Sequence, residues 1–170
     1  MIIIHCDRVK NITQKIYNQM INKLDLVLLT CPLCSHTGTE VHSYYERAVK
    51  SENITFRLVV LRIRCQFCGH THAILPDTIV PYSSVSLKDT ISILLSETPE
   101  QIKNFLLNNL SLDFSDVYRI RRNFKKYWEQ RLKSAELSID NQISQPCISA
   151  FRRQFMQIHC GLCCSYTLST

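Results

Sequence analysis

The sequence predicts a small α+β protein: a zinc ribbon, meaning a β-hairpin with two Cys-x-x-Cys knuckles, followed by a three-helix helix-turn-helix unit. Three observations predict it. Two Cys-x-x-Cys pairs, Cys31/Cys34 and Cys65/Cys68, bracket a stretch rich in Val, Ile, Tyr, Phe and Thr. Three helical patterns with N-cap signals follow between residues 86 and 133. Residues 119–133 hold seven Lys or Arg against one acid, Glu129, which equals the net charge of +6 carried by the whole chain.

Taken in order, residues 1–30 open with the β-like run MIII. Ile12, Ile16, Met20 and Leu24 then recur every four residues on one helical face. LVLLT (26–30) reads as a strand entering the first knuckle, and the whole region is expected to pack on the ribbon. Residues 31–75 are the ribbon: TEVHSYYERAV (39–49) and NITFRLVVLRIRC (53–65) read as strands around the polar break KSEN (50–53). Pro76 and Pro81 mark residues 76–85 as a linker.

Residues 86–133 carry the helices. Ser86 with Asp89 three positions on is a capping-box pattern, and Leu87, Ile91, Leu94 and Leu95 share one face. Thr98, Pro99 and Gln101 begin a second helix that buries Ile102, Phe105 and Leu106 and ends near Asn108–Asn109. Asp113 caps a third helix, with Asp116 in its first turn and Val117, Ile120, Phe124 and Trp128 facing inward. Residues 134–170 lack a clear period and are expected to form a C-terminal extension or tail.

Composition narrows the chemistry. The chain is 45% hydrophobic and 20% charged, and no apolar run approaches the length of a membrane span. MIIIHCD has no basic region before its short apolar run, unlike a signal peptide, so a cytoplasmic location is expected. In a reducing compartment, nine cysteines with four of them in Cys-x-x-Cys pairs favour metal over disulfides. Each tight Cys-x-x-Cys turn offers two thiolates to one metal, and two turns complete a tetrahedral shell that suits zinc. The expected ligands of a structural Zn2+ are therefore Cys31, Cys34, Cys65 and Cys68.

His36, His70 and His72 lie close by, and one of them replacing a cysteine is the alternative ligand set. In an extended segment His70 and His72 point to one side. Gly69 gives the second knuckle backbone freedom, whereas Ser35 holds the equivalent place in the first. A redox Cys-x-x-Cys would sit at a helix N-terminus in a βαβ context, and a catalytic zinc needs an open coordination position. Neither context is present, so no catalytic residue and no small-molecule substrate are expected. His159, Cys160, Cys163 and Cys164 are too cramped for a second four-ligand cage and read as part of a cysteine-rich tail.

With Val117, Ile120 and Phe124 inward, the third helix turns Ser115, Arg119, Arg122 and Lys126 outward, flanked by Tyr118, Arg121 and Lys125. Arg pairs bidentately with guanine or phosphate and Lys suits phosphate, so duplex DNA is the expected partner of this face. A solvated basic face on an ordinary bundle helix is the plainer reading of the same residues.

The stretches CPLC, HSYYERAV and VVLRIRCQFCGHTHAILPDTIVPYS resemble the N-terminal zinc ribbon of a class of bacterial insertion-sequence transposases. They also resemble an uncharacterised bacterial domain family of the same build. The resemblance covers about residues 31–133. It implies that the four cysteines bind zinc and that the helices recognise the DNA ends of a mobile element. Two departures stand out. Ser35 occupies the usual glycine position, and after residue 133 only Glu136 and Asp140 remain as side-chain carboxylates. The catalytic domain of those enzymes, with its acidic triad, is not expected in 37 residues.

The expected function is thus a zinc-stabilised, transposase-like DNA-binding module that binds and does not cut, compatible with homo-oligomers. The alternatives are a zinc-ribbon protein-interaction module that ignores nucleic acid and a thiol redox protein.

Overall fold

A computed structural model describes residues 1–5, 12–51, 53–159 and 161–168. Its centre is the apolar run at the start. Strand β1 (Ile2–His5) places Ile2, Ile3 and Ile4 fully out of solvent. A strand apolar at every position needs cover on both faces and partners on both edges. It finds them in β4 (Thr71–Pro76) and β5 (Cys164–Thr167), both parallel to it, with Ile2 opposite Ile74 on one side and Cys164 on the other. Strands β2 (Thr39–Ser51) and β3 (Ile54–Cys65) form the long hairpin, and β3 pairs antiparallel with β4. The sheet order is β2-β3-β4-β1-β5.

The α+β class therefore holds, but the expected succession of a separate zinc ribbon and a helix-turn-helix unit does not. The hairpin belongs to a five-stranded mixed sheet completed by strands from both ends of the described chain. The physical reason is the Ile2–Ile4 run, which cannot be buried by a two-stranded ribbon and recruits β4 and β5 instead. LVLLT is not a strand either. The Asp25 carboxylate accepts the Val27 amide at 3.1 Å and winds Leu26–Leu28 into a 3-10 turn that buries Leu29 and exposes Val27 and Leu28.

Helix α1 (Gln14–Asn22) is capped by Thr13 and lies against the edge that β3 exposes where β4 departs. The last paired residues there are Arg62 and Ala73. In place of the next rung, the Tyr17 hydroxyl accepts from the Leu61 amide and donates to the Ile74 carbonyl, each at 2.9 Å. One helical turn back, the Gln14 amide group accepts from Val59 N at 2.8 Å and donates to Val59 O at 3.2 Å. Two side chains thus stand in for a strand along an edge that would otherwise be unpaired.

A second core gathers α2 (Leu87–Leu95), α3 (Pro99–Leu107), α4 (Phe114–Tyr127), α5 (Glu129–Ser134) and α6 (Ser144–Phe151). Ser86, Thr98 and Asp113 cap the first three as their sequence signals require, Thr98 with a full capping box to Gln101. Helix α3 is lightly attached and buries only Ile102 fully. Trp128 interrupts the expected third helix. Its backbone leaves helical geometry at φ −122, and its buried indole donates to Gln157 O at 3.1 Å while packing edge-on against Phe151 and Phe155.

Residues 134–168 supply Ile143, Cys147 and Phe155 to this core and β5 to the sheet. Residues 76–85 are packed as well, with Ile79, Val80 and Val85 buried. The two cores are tied by Lys50 Nζ to Asp116 Oδ2 at 2.8 Å, by the Arg47 guanidinium on the carbonyls of Val80 and Ser83, and by Gln154 Nε2 to Asp77 O at 2.7 Å. No helix among the described residues is long and apolar enough to cross a membrane.

Candidate metal centre and basic helix

The two knuckles, CPLCSH and CQFCGH, fold alike. Cys31 N donates to His36 O at 2.8 Å, and Cys65 N to His70 O at 2.9 Å. Ser35 N reaches Cys31 O and Gly69 N reaches Cys65 O, each at 2.9 Å. Both turns need a left-handed residue, Ser35 at φ 63 and Gly69 at φ 71. Serine adopts in the first knuckle a conformation that glycine adopts freely in the second. The His36 ring sits 3.0 Å from Cys34 O through Nδ1, and the His70 ring 3.3 Å from Cys68 O.

The knuckles face each other and bring their four sulfurs together. Cys31 and Cys68 are 3.7 Å apart at Sγ, as are Cys34 and Cys65, and all four ligand atoms lie within 4.8 Å of one another. A disulfide would need about 2.05 Å. A tetrahedral shell with metal–sulfur bonds of about 2.3 Å has sulfur–sulfur edges of about 3.8 Å. The sulfurs are therefore spaced to hold one metal ion. Among the described residues this is the one cluster of three or more His, Cys, Asp or Glu so arranged.

The thiols are not equivalent. The amide of Cys68 holds Cys65 down to about 7, helped by that of Phe67 and opposed by burial. For Cys34 the amide of His36 pulls downward, but burial and the three neighbouring thiols together push it up to about 12. Cys68 is also raised, against the pull of the His70 amide. A metal binding here displaces the protons of the raised thiols.

None of the three histidines enters the cluster. Buried His72 comes nearest, its Nε2 3.2 Å from Cys31 Sγ, and burial lowers it to about 4, so it is neutral around pH 7. A neutral imidazole with its proton on Nε2 donates to the Cys31 sulfur. His70 precedes β4 and is exposed, so the expected common orientation of His70 and His72 fails because the strand begins one residue later. His36 stacks on exposed Phe67 with ring centroids 3.6 Å apart. Of the cysteines read as part of the tail, Cys160 lies outside the described residues, Cys163 donates to Gln157 Oε1 at 2.9 Å and Cys164 to Thr30 O at 3.4 Å. Cys6 also lies outside them.

The cysteine cluster is at the base of the hairpin, beside Thr39 and Cys65. Lys50, at the far end of β2, is about 36 Å away along the strand at the usual rise per residue. There α4 begins. Of its expected contact residues, Ser115, Tyr118, Arg119, Arg121, Arg122, Lys125 and Lys126 are all exposed. Two of them have work inside the fold. Arg119 joins Lys50 on the buried Asp116 carboxylate, and Arg121 donates to the Ser96 carbonyl at the end of α2. Arg122 lies over the Tyr118 ring and Lys126 over the Tyr127 ring. Among the described residues no carboxylate forms an ion pair with Arg122, Lys125 or Lys126. Two hairpin arginines, by contrast, are paired, Arg57 with Glu46 at 2.7 Å and Arg64 with Glu40 at 2.6 Å, while Arg62 lies over the Tyr45 ring.

His72, expected beside the cluster, is the histidine that reaches it. The exposure of Leu107, Leu110 and Phe114 escaped sequence reasoning, hidden within or beside helical patterns.

Residues 31–106 match the family described as a Domain of unknown function (DUF6431). The match spans the four-cysteine cluster, the hairpin, β4, α2 and most of α3, and stops before α4. No curated protein and no solved structure matches the chain.

Proposed function

We propose that the protein is a zinc-stabilised, non-catalytic DNA-binding protein of the cytoplasm, which contacts duplex DNA through the exposed face of α4. The observation that carries the reading is the grouping of exposed cations on one helix face. Among the described residues Arg122, Lys125 and Lys126 form no ion pair with a carboxylate, although Lys125 lies within electrostatic reach of Glu129, while Arg57 and Arg64 are paired. Unpaired cations on one face suit a polyanion. Zinc fits the four-sulfur set because it has no geometric preference of its own and accepts a tetrahedral thiolate shell. Its role would be to join the ends of β2, β3 and β4, remote from the DNA. Recognition of mobile-element ends, as in the transposases that the ribbon resembles, is the finer form of this proposal.

The test is fluorescence anisotropy with a labelled duplex taken from DNA flanking the gene, compared with an unrelated duplex, over a range of salt. Three phosphate contacts give a log–log salt slope of about −3. The Arg122→Ala/Lys125→Ala/Lys126→Ala variant should lose most of the affinity and flatten the slope, while Arg57→Ala should bind normally. An unchanged affinity in the triple variant would remove α4 as the contact face. Preference for the flanking duplex at higher salt would support the mobile-element form.

One observation favours a second reading. Leu107, Leu110, Phe114 and Tyr118, all exposed and close in sequence, suit a protein partner. A Leu110→Glu/Phe114→Glu variant that still binds DNA but loses a protein partner would establish that reading beside the first.

A further inference from the structure

We infer that the cavity between the 80–84 loop, α2, α4 and residues 154–158 is a binding site for a small organic anion, a carboxylate or phosphate ester with an apolar body. The inference stands apart from the DNA reading.

The cavity holds about 320 Å3, at the lower end of the range for small-molecule sites. Ile120, Met156 and Ile158 give it an apolar side, and Thr90, Arg119 and Asn123 a polar one. An apolar body with a single charged end fits that division. The charge is set by Asp116, whose carboxylate takes both Lys50 and Arg119, two cations on one anion. Asp113 lies within electrostatic reach of Lys50, but its Oδ1 accepts the amides of Ser115 and Asp116. Arg119 keeps about half of its side chain exposed at the cavity wall, open to a second anion.

Thr90 adds an unmet polar group. It is 1% exposed, and its hydroxyl has no partner among the described residues. Buried hydroxyls are nearly always satisfied, so one without a partner beside a cavity marks a place for a ligand or an ordered water.

The backbone around the cavity is held in a conformation that the fold alone does not favour. Val80-Pro81-Tyr82-Ser83 is a turn closed by Ser83 N to Val80 O at 3.2 Å, with Tyr82 at φ 62. Glycine is the residue that suits this third position of a proline-started turn. Met156, on the opposite wall, is also left-handed at φ 64. Such residues collect at ligand sites, where the side chain is needed despite its backbone. The Tyr82 phenol stands edge-on to His159 with ring centroids 4.6 Å apart, and the Arg47 guanidinium pins the loop through the carbonyls of Val80 and Ser83. The site is thus formed in advance of any ligand.

The chain has three methionines, Met1, Met20 and Met156, so 13C-methyl-methionine labelling of the full-length, metal-loaded protein gives one probe in the cavity and two references outside it. Benzoate and phenyl phosphate should move the Met156 signal saturably, in the millimolar range expected of so small a ligand, and leave Met1 and Met20 in place. Uncharged benzamide should bind about tenfold more weakly, the loss expected for one charge-assisted contact. Tyr82→Gly should keep or raise thermal stability, because glycine suits the turn, yet weaken benzoate about tenfold. A Met156 signal unmoved by every anion, or benzoate binding unaltered in Tyr82→Gly, would overturn the inference. Inorganic phosphate binding as tightly as phenyl phosphate would overturn its organic part, since the apolar walls would then contribute nothing.

Discussion

Replacing Tyr17 by Phe removes one oxygen that serves two buried backbone groups. The hydroxyl bridges Leu61 N and Ile74 O at 2.9 Å each, between strands that have just ceased to pair, and Tyr17 is 2% exposed. The Phe ring keeps the wedge in place, so the amide and carbonyl cannot close on each other and are left without partners. Each lost hydrogen bond costs about 1 kcal/mol net, and leaving a buried partner unsatisfied costs about 1–3 kcal/mol. Allowing for partial relaxation, the expected destabilisation is about 2–4 kcal/mol, a fall of roughly 5–12 °C in Tm for a chain of this size. Urea denaturation of the metal-loaded protein measures it, with Tyr44→Phe, an exposed tyrosine, as a control expected to change stability by under about 0.5 kcal/mol.

The same substitution has a pH signature. Burial raises the Tyr17 phenol above its usual value of 10.0, so it stays protonated where an unfolded tyrosine ionises. Its contribution is therefore complete below pH 10 and declines as pH rises beyond it. The gap between native protein and variant should narrow above pH 10. A destabilisation under about 1 kcal/mol at pH 7 would refute the reasoning, showing that the strands close or that water replaces the hydroxyl.

One equivalent of metal per chain is expected by mass spectrometry under native conditions; Cys31→Ser or Cys65→Ser should lose it, whereas Cys147→Ser, buried in the helical core, should keep it. Metal loading of the stripped protein in weak buffer should release protons at pH 7, because Cys34 and Cys68 are held protonated by burial and neighbouring thiols; a pH-stat would record it. Asp116→Asn leaves Lys50 and Arg119 facing each other without their carboxylate and should cost about 1–2 kcal/mol in urea denaturation, less than a fully buried network because both cations are partly exposed. Truncation after Lys133 removes Phe155 from Trp128 and β5 from β1, and should yield a chain without a cooperative thermal transition by circular dichroism.

Local signals were legible in the sequence, and long-range ones were not. Ser86, Thr98 and Asp113 cap the helices their spacing announced, because a cap is settled within four residues. The four cysteines converge because each knuckle is a local turn and the hairpin between them fixes how the turns meet. The architecture was missed at Ile2–Ile4, whose partners lie about seventy and a hundred and sixty residues away and leave no periodic trace. The basic face was legible as composition, but its internal pairings were not: that Arg121 caps α2 and Arg119 meets Asp116 depends on packing between helices.

The placement of β1 has a consequence for how this chain comes off the ribosome. Strand β1 is an interior one made before both of its neighbours, β4, from residue 71, and β5, from residue 164. At about 5–20 residues per second, roughly ten to thirty seconds separate its emergence from that of its last partner. Through that interval an isoleucine-rich strand has at best one edge covered, an invitation to pair with a neighbouring nascent chain. Synthesis therefore favours α1 and the hairpin forming early, since they can shelter β1 before β5 arrives.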